Sequence, residues 1–168
     1  MKILAIDDNQ NNLTLLKATL SENLPDAQIQ VALGGLNGLA LARANDPDVI
    51  LLDILMPDMD GYAVCRKVKE DAALKSIPVL FLTALRTDRV SRQRALDAGA
   101  EGFLSKPIDE LELVSQIRVM AKVKAAAVAQ QTENERLSAL VSERTLALQK
   151  SKISTLNLLE DLKIENEA

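Results

Sequence analysis

The chain has 168 residues, with 20 lysines and arginines against 24 aspartates and glutamates, so its formal net charge is −4. It contains no histidine, which excludes histidine-ligated metal sites, histidine-based acid–base catalysis and a phosphohistidine on this chain. The slight acidity and the lack of basic runs argue against nucleic acid as a partner. The single Cys65, the two early aspartates and the lack of a long apolar run together predict a cytoplasmic protein without a membrane span.

The composition divides the chain into two parts. All glycines, prolines and aromatic residues precede position 108. Residues 109–168 therefore lack the turn formers and large side chains that a globular core needs. We predict one domain over residues 1–120 and a helical segment over residues 121–168 that continues the last helix of that domain.

Five short apolar runs in the first part predict buried strands. They comprise residues 2–7, 28–32, 48–53, 77–82 and 101–105. Three of them are nearly continuous in apolar residues, as is typical of parallel strands covered on both faces. Helical patterns lie between the runs, with Asn9 and Asp109 as expected caps of the first and last helices and Gly99 as the end of the fourth. This alternation predicts an α/β fold with a doubly wound, five-stranded parallel sheet.

Polar side chains follow these strands at their carboxyl ends, where such sheets bind ligands. Asp7 and Asp8 follow the first strand and Asp53 ends the third, and three carboxylates at one edge favour Mg²⁺ (or Mn²⁺). Asp8 and Asp53 are the expected direct ligands, with Asp7 acting through water. A carboxylate can also be a nucleophile that forms an aspartyl-phosphate, and Lys106 and Thr83 are the candidates to neutralise and hydrogen-bond the phosphoryl group.

Each of these signals is weak alone, because an Asp-Asp pair after a strand is often only a helix cap. Their joint placement at four strand ends favours a site. The surrounding motifs resemble the receiver domain of bacterial response regulators over residues 1–120. The matching segments are Ile6-Asp7-Asp8-Asn9, LLDILMPDMDG at residues 51–61, Leu82-Thr83-Ala84 and Ser105-Lys106-Pro107.

The resemblance implies a flavodoxin-like fold and a metal-assisted phosphorylation site. Asp53 would be the phosphoacceptor, and Asp7 and Asp8 would hold Mg²⁺ together with Asp53 and the backbone carbonyl of Leu55. The phosphodonor would be a sensor histidine kinase or a phosphotransfer protein.

The same resemblance assigns roles on the fourth and fifth strands. Thr83 and Lys106 would contact the phosphoryl group, and the Lys106–Pro107 peptide bond would be cis. Phe103 lies at the position of the family's switch aromatic. Its rotamer could change when a phosphoryl group draws the Thr83 hydroxyl inward, although plain core packing explains a phenylalanine there equally well. Leu55 and Leu85 are apolar where many relatives carry polar groups, so neither can orient a hydrolytic water.

The tail carries a seven-residue apolar series that predicts an imperfect, two-stranded parallel coiled coil with a stutter. The predicted seam consists of Met120, Ala127, Asn134, Val141, Leu148 and Leu162. We therefore expect a homodimer, with the chain as the N-terminal part of a larger regulator or hybrid kinase.

We therefore predict a phosphorylation-controlled signalling switch that is not itself an enzyme. There are two alternative functions. An aspartate-nucleophile phosphatase needs a second aspartate two residues after the nucleophile, where Leu55 stands. A structural coiled-coil adaptor with a vestigial receiver is opposed by the intact set of polar residues at the strand ends. Neither the cognate kinase nor the output domain can be predicted from the sequence.

Overall fold

The computed structural model describes residues 1–84 and 89–166, without the side chains of residues 89, 91, 92 and 158–166. Strands and helices alternate in this part of the chain. The strands are β1 (Lys2–Asp7), β2 (Gln28–Leu33), β3 (Val49–Asp53), β4 (Val79–Thr83) and β5 (Gly102–Ser105). The helices are α1 (Gln10–Asn23), α2 (Gly35–Asn45), α3 (Gly61–Glu70), α4 (Arg89–Asp97) and α5 (Glu110–Asn166).

The five strands form one parallel sheet in the order β2-β1-β3-β4-β5. The predicted flavodoxin-like, doubly wound fold is thus confirmed. The strand order reverses between β1 and β3, and at such a switch point the carboxyl ends of neighbouring strands leave a crevice. Asp7 ends β1 and Asp53 ends β3, so the topology opens this crevice between the two aspartates.

The core consists of two layers, one on each face of the sheet. Alternate residues of a strand point to opposite faces, so Leu4 and Ile6 of β1 pack with α2, α3 and α4, whereas Ile3 and Ala5 pack with α1 and α5. The central strands are apolar on both faces because both faces are covered. This explains why they read as continuous apolar runs in the sequence.

Side-chain caps fix where the helices begin. Asn9 accepts a hydrogen bond from the Asn11 amide at 2.9 Å, and Asp109 accepts one from the Glu112 amide at 2.8 Å, as expected. The helix α2 instead begins after Gly34, whose φ of 81° is accessible to glycine at little cost.

Helix α5 packs on the sheet through one stripe of buried side chains. Leu113, Ile117 and Met120 are buried in the layer with α1, and each contributes roughly 1.5–3 kcal/mol by burial. Lys124 continues the stripe and is 5% exposed, with its Nζ donating to Asp46 Oδ1 at 2.7 Å and to Pro47 O at 2.8 Å. The first compact unit of the chain comprises residues 1–127.

The assignment of Met120 to a coiled-coil seam is corrected by this packing. Its side chain is 6% exposed and lies within the core, so it cannot also contact a second helix. The sequence series was misleading because a helix packed on a sheet and a coiled coil both repeat apolar residues at spacings of three and four.

The second unit comprises residues 128–168 and is helical as far as Asn166. The seam positions Asn134, Val141 and Leu148 are exposed, and so is Ala127 at the end of the first unit, whereas the side chain of Leu162 lies outside the described residues. None of the described helices is long and apolar enough to cross a membrane.

Cys65 lies on the buried face of α3, within the core, and should be chemically inert. Its Sγ donates to Ala98 O at 3.2 Å, and burial raises the pKa of the thiol to about 12. Because the thiolate is the reactive species, we expect no reaction with Ellman's reagent at pH 8 in the native protein and one thiol per chain after denaturation. A Ser115→Cys variant, exposed on α5, is the positive control. Rapid labelling of Cys65 in the native wild type would contradict this.

Candidate functional site

The carboxyl ends of β1 and β3 bring three carboxylates together. Asp7, Asp8 and Asp53 each offer an oxygen within 4.8 Å of the other two. Asp7 and Asp53 are 5% and 7% exposed, whereas Asp8 faces solvent. Such a cluster repels itself unless cations or hydrogen-bond donors compensate its charge.

Lys106, directly after β5, supplies a positive charge at this cluster. Its Nζ lies 2.7 Å from Asp53 Oδ1 and 3.2 Å from Asp7 Oδ2, so one ammonium bridges two of the carboxylates. The backbone places it there: the Lys106 amide donates to Thr83 O at 2.7 Å, and the Lys106–Pro107 peptide bond is cis.

Burial and charge shift the pKa values of the central pair. Burial raises the pKa of Asp53 above its usual value, and the nearby charge of Asp7 raises it further, while the hydrogen bond and charge of Lys106 and the Leu55 amide offset only part of this increase. For Lys106, burial alone would lower the pKa, but the hydrogen bonds and charges of Asp53 and Asp7 together outweigh burial and raise it. Lys106 is therefore cationic at neutral pH. The ionised form of Asp53 is destabilised by its burial and by the nearby charge of Asp7.

Asp7 receives further donors from the start of α1. The Asn9 amide donates to Asp7 Oδ1 at 2.8 Å, and the side-chain amide of Asn12 lies 3.1 Å from both Asp7 oxygens. Sequence reasoning missed Asn12, which resembles an ordinary solvated residue of a first helical turn. The available signal was its position five residues after Asp7, in the first turn of a helix that begins at the site.

The loop between β3 and α3 encloses Asp53 with backbone groups. The Leu55 amide donates to Asp53 Oδ2 at 3.0 Å, and the Gly61 amide donates to Ile54 O at 2.9 Å, which folds the loop back over the strand end. The Leu55 side chain is 56% exposed at the rim of the site.

The remaining predicted residues lie on β4 and β5. Thr83 ends β4 and is buried, next to Ser105 in the register of the sheet. Phe103 is half-buried on β5 and packs against the core layer that contains Phe81. Leu85 lies outside the described residues.

The donor set fits a small hard cation. The three carboxylates offer only oxygen ligands, which Mg²⁺ prefers. Asp8 is open to solvent, so a bound Mg²⁺ would be able to keep part of its water shell. One ammonium against three carboxylates leaves the cluster with an excess of negative charge that a divalent ion would compensate.

Comparison with protein families and with curated proteins identifies the relatives of this chain. Residues 3–118 match the model of the response regulator receiver domain. The chain is 42% identical over 125 residues to the response regulator PleD of Caulobacter vibrioides, which covers 73% of this chain and 26% of PleD. It is 33% identical over 163 residues to RpaA of Synechocystis, a DNA-binding dual master transcriptional regulator, covering 95% of this chain and 66% of RpaA. The chain thus spans about a quarter of the length of its PleD relative.

Solved structures show the same relationship. The chemotaxis protein CheY4 of Vibrio cholerae superposes with a TM-score of 0.66 at 29% identity, covering 71% of this chain and 97% of CheY4. The receiver domain of the sensor histidine kinase PA1611 from Pseudomonas aeruginosa has a TM-score of 0.63 at 28% identity, covering 72% of this chain and 97% of that domain, and it was solved with a magnesium ion coordinated in its active-site cleft. This chain belongs to the response regulator receiver domain family, the phosphoacceptor signalling switches of two-component systems.

Proposed function

We propose that Asp53 is the residue that accepts the phosphoryl group, and that the donor is a phosphohistidine on a sensor histidine kinase or a phosphotransfer protein. The observation that carries this proposal is the buried Asp53 carboxylate, which lies 2.7 Å from Lys106 and among three clustered carboxylates. Because these 168 residues contain no histidine, the phosphohistidine lies outside them.

The transfer breaks the P–N bond of the donor imidazole and forms a P–O bond to a carboxylate oxygen of Asp53. The electron pair of the broken bond leaves with the imidazole, which takes up a proton. Bound Mg²⁺ would neutralise charge on the transferring phosphoryl group. Asp8, Asp53 and the Leu55 carbonyl would hold that ion directly, with Asp7 acting through water.

Lys106 and Thr83 would contact the phosphoryl group once it is on Asp53. Phosphorylation adds negative charge at the position that Lys106 already contacts, so its ammonium can pass from the carboxylate to a phosphoryl oxygen while the Thr83 hydroxyl donates a second hydrogen bond. Phe103, half-buried on the neighbouring strand, can change rotamer as Thr83 moves inward. This device is regulatory and turns over no substrate.

The direct test of this function is phosphorylation by a small-molecule donor. Acetyl phosphate with Mg²⁺ should add one phosphoryl group per chain, and reductive trapping followed by mass spectrometry should locate it on Asp53. Omission of Mg²⁺ is the matched control and should suppress the reaction. A phosphoryl group on any other residue would refute the assignment.

The apolar rim at Leu55 should lengthen the life of the phosphorylated state. Hydrolysis needs a water aligned opposite the leaving carboxylate, and the exposed Leu55 side chain cannot hold one. We expect Leu55→Asn to speed loss of phosphate by about tenfold, which corresponds to roughly 1.4 kcal/mol in activation free energy. Dephosphorylation time courses measure this.

The control for this lifetime is Leu33→Asn, which alters another exposed leucine at a strand end, 48% exposed on β2. It should leave the decay unchanged. Equal decay of wild type and Leu55→Asn would show that water orientation at residue 55 does not set the rate.

We further propose that the helical segment after the receiver pairs with a second copy as a parallel, two-stranded coiled coil. Val141 and Leu148, one heptad apart, are 65% and 66% exposed, and Asn134 one heptad earlier favours two in-register strands. Identical chains pair in this way by two-fold symmetry.

Glutamates on the predicted seam should abolish this dimer. We expect light scattering to give twice the 18.3 kDa chain mass for the wild type and a single chain mass for Val141→Glu/Leu148→Glu. The control is Leu146→Glu/Ile153→Glu, also one heptad apart and 57% and 59% exposed, which lies off the seam and should remain dimeric. A monomeric wild type at high concentration would contradict the dimer, and loss of pairing in the control would contradict this seam.

A further inference from the structure

The acceptor capacity of Asp7 is already filled by the protein. An ionised carboxylate offers about four acceptor positions. Four contacts of 2.8–3.2 Å reach the two oxygens of Asp7. The backbone amide of Asn9 and the ammonium of Lys106 make one each, and the side-chain amide of Asn12 makes two, one to each oxygen. Direct coordination of a metal ion by Asp7 would have to displace at least one of these donors.

The donors on Asp7 differ in charge. Lys106 also contacts Asp53, so its ammonium is shared between two carboxylates. Asn12 contacts Asp7 through a neutral amide, which satisfies the oxygens without weakening the negative potential that attracts a divalent ion. An arginine or lysine at the same place would compete with the metal for that charge.

We propose that Asn12 is a positioning residue of the metal site: its neutral amide holds the Asp7 carboxylate back from direct coordination, so that Asp7 meets the ion through water. This inference rests on the proposed function, since it assumes that Mg²⁺ binds at the three carboxylates. Water-mediated contact suits Mg²⁺, which sheds its water reluctantly and requires a nearly octahedral shell. Ca²⁺ accepts more ligands at longer distances and gains from a further direct carboxylate.

The test compares Asn12→Leu with Asn11→Leu in the full chain. Both variants replace an exposed asparagine in the first turn of α1 by the same side chain, but only Asn12 contacts Asp7 through its side chain among the described hydrogen bonds. Isothermal titration calorimetry with Mg²⁺ alone and with Ca²⁺ alone measures binding without any phosphodonor. Thermal denaturation without metal shows whether each variant is folded.

We expect Asn12→Leu to weaken Mg²⁺ binding by about tenfold, as is common when a residue that orients a metal ligand is lost. Ca²⁺ binding should weaken less, so the preference for Mg²⁺ over Ca²⁺ falls. Asn11→Leu should bind both ions like the wild type. Equal Mg²⁺ affinity in the two variants, or an equal loss for both ions in Asn12→Leu, would overturn the positioning role and leave the proposed function intact. A wild type that binds no Mg²⁺ would instead overturn the metal assignment and this inference with it.

Discussion

Replacement of Asp53 by Asn is expected to abolish phosphorylation completely, because an amide offers no anionic oxygen to attack phosphorus. The variant is nearly isosteric and can still accept a hydrogen bond from the Leu55 amide, and Lys106 keeps its contact with Asp7. Loss of labelling would therefore reflect lost chemistry rather than a lost fold. Asp58→Asn, an exposed aspartate in the same loop, is the control and should be phosphorylated like the wild type.

The same substitution should leave the protein at least as stable. Because the pKa of Asp53 is raised in the folded state, its ionisation favours unfolding, and this penalty is present at neutral pH and disappears as the pH falls through that raised pKa. The neutral amide of the variant removes the penalty. We expect the melting temperature of Asp53→Asn at pH 7 without Mg²⁺ to equal or exceed that of the wild type, whereas addition of Mg²⁺ should stabilise mainly the wild type. A clearly lower melting temperature would show that the ion pair with Lys106 outweighs the burial of the charge.

The sheet could be predicted from the sequence because both faces are covered. Parallel strands buried on both faces leave continuous apolar runs, and the predicted bounds differ from the observed ones by at most two residues. The largest difference is at β4, which begins at Val79 rather than at residue 77. Pro78 has no amide hydrogen to donate, and only its carbonyl takes part by accepting the Ile50 amide at 2.9 Å.

The centre of the site could be predicted for a similar reason. Asp7, Asp53, Thr83 and Lys106 each end a strand or directly follow one, so the topology alone brings them to one edge. The supporting residues could not be predicted in this way. Asn12 acts from a helix, and its contact with Asp7 depends on how α1 leaves the strand.

The contacts of Lys124, near the start of β3, could not be predicted from the sequence either. In the sequence it looks like one solvated charge of a long helix, yet its ammonium is buried against carbonyls of the loop between α2 and β3. Those carbonyls face it because Asp46 adopts a left-handed conformation with φ of 47°. A pattern along one helix cannot reveal acceptors supplied by a loop about 78 residues earlier in the chain.

Replacement of Gly61 by Ala should be among the most destabilising single-methyl changes in the receiver. A β-carbon at this position would collide with the backbone oxygen of Asp53 and lie 2.9 Å from Ile54 Cα, both of which are main-chain atoms that no rotamer can move aside. The phosphoacceptor strand must then shift. We expect a loss of about 3 kcal/mol in the free energy of unfolding, at the upper end for overpacking, measured by urea denaturation.

Gly34→Ala separates this spatial effect from backbone strain. A β-carbon on Gly34 would lie in open space, but the residue has a φ of 81°, so its substitution costs only the left-handed conformation, about 1–2 kcal/mol. Gly61 is the reverse case, since contact with the chain and not its φ excludes a side chain. Gly61→Ala should therefore lose more stability than Gly34→Ala and should also slow phosphorylation, because the carbonyl it displaces belongs to Asp53. If Gly61→Ala were as stable as the wild type, the loop would have to be able to open away from the strand end, and the close enclosure of Asp53 would not be a requirement of the site.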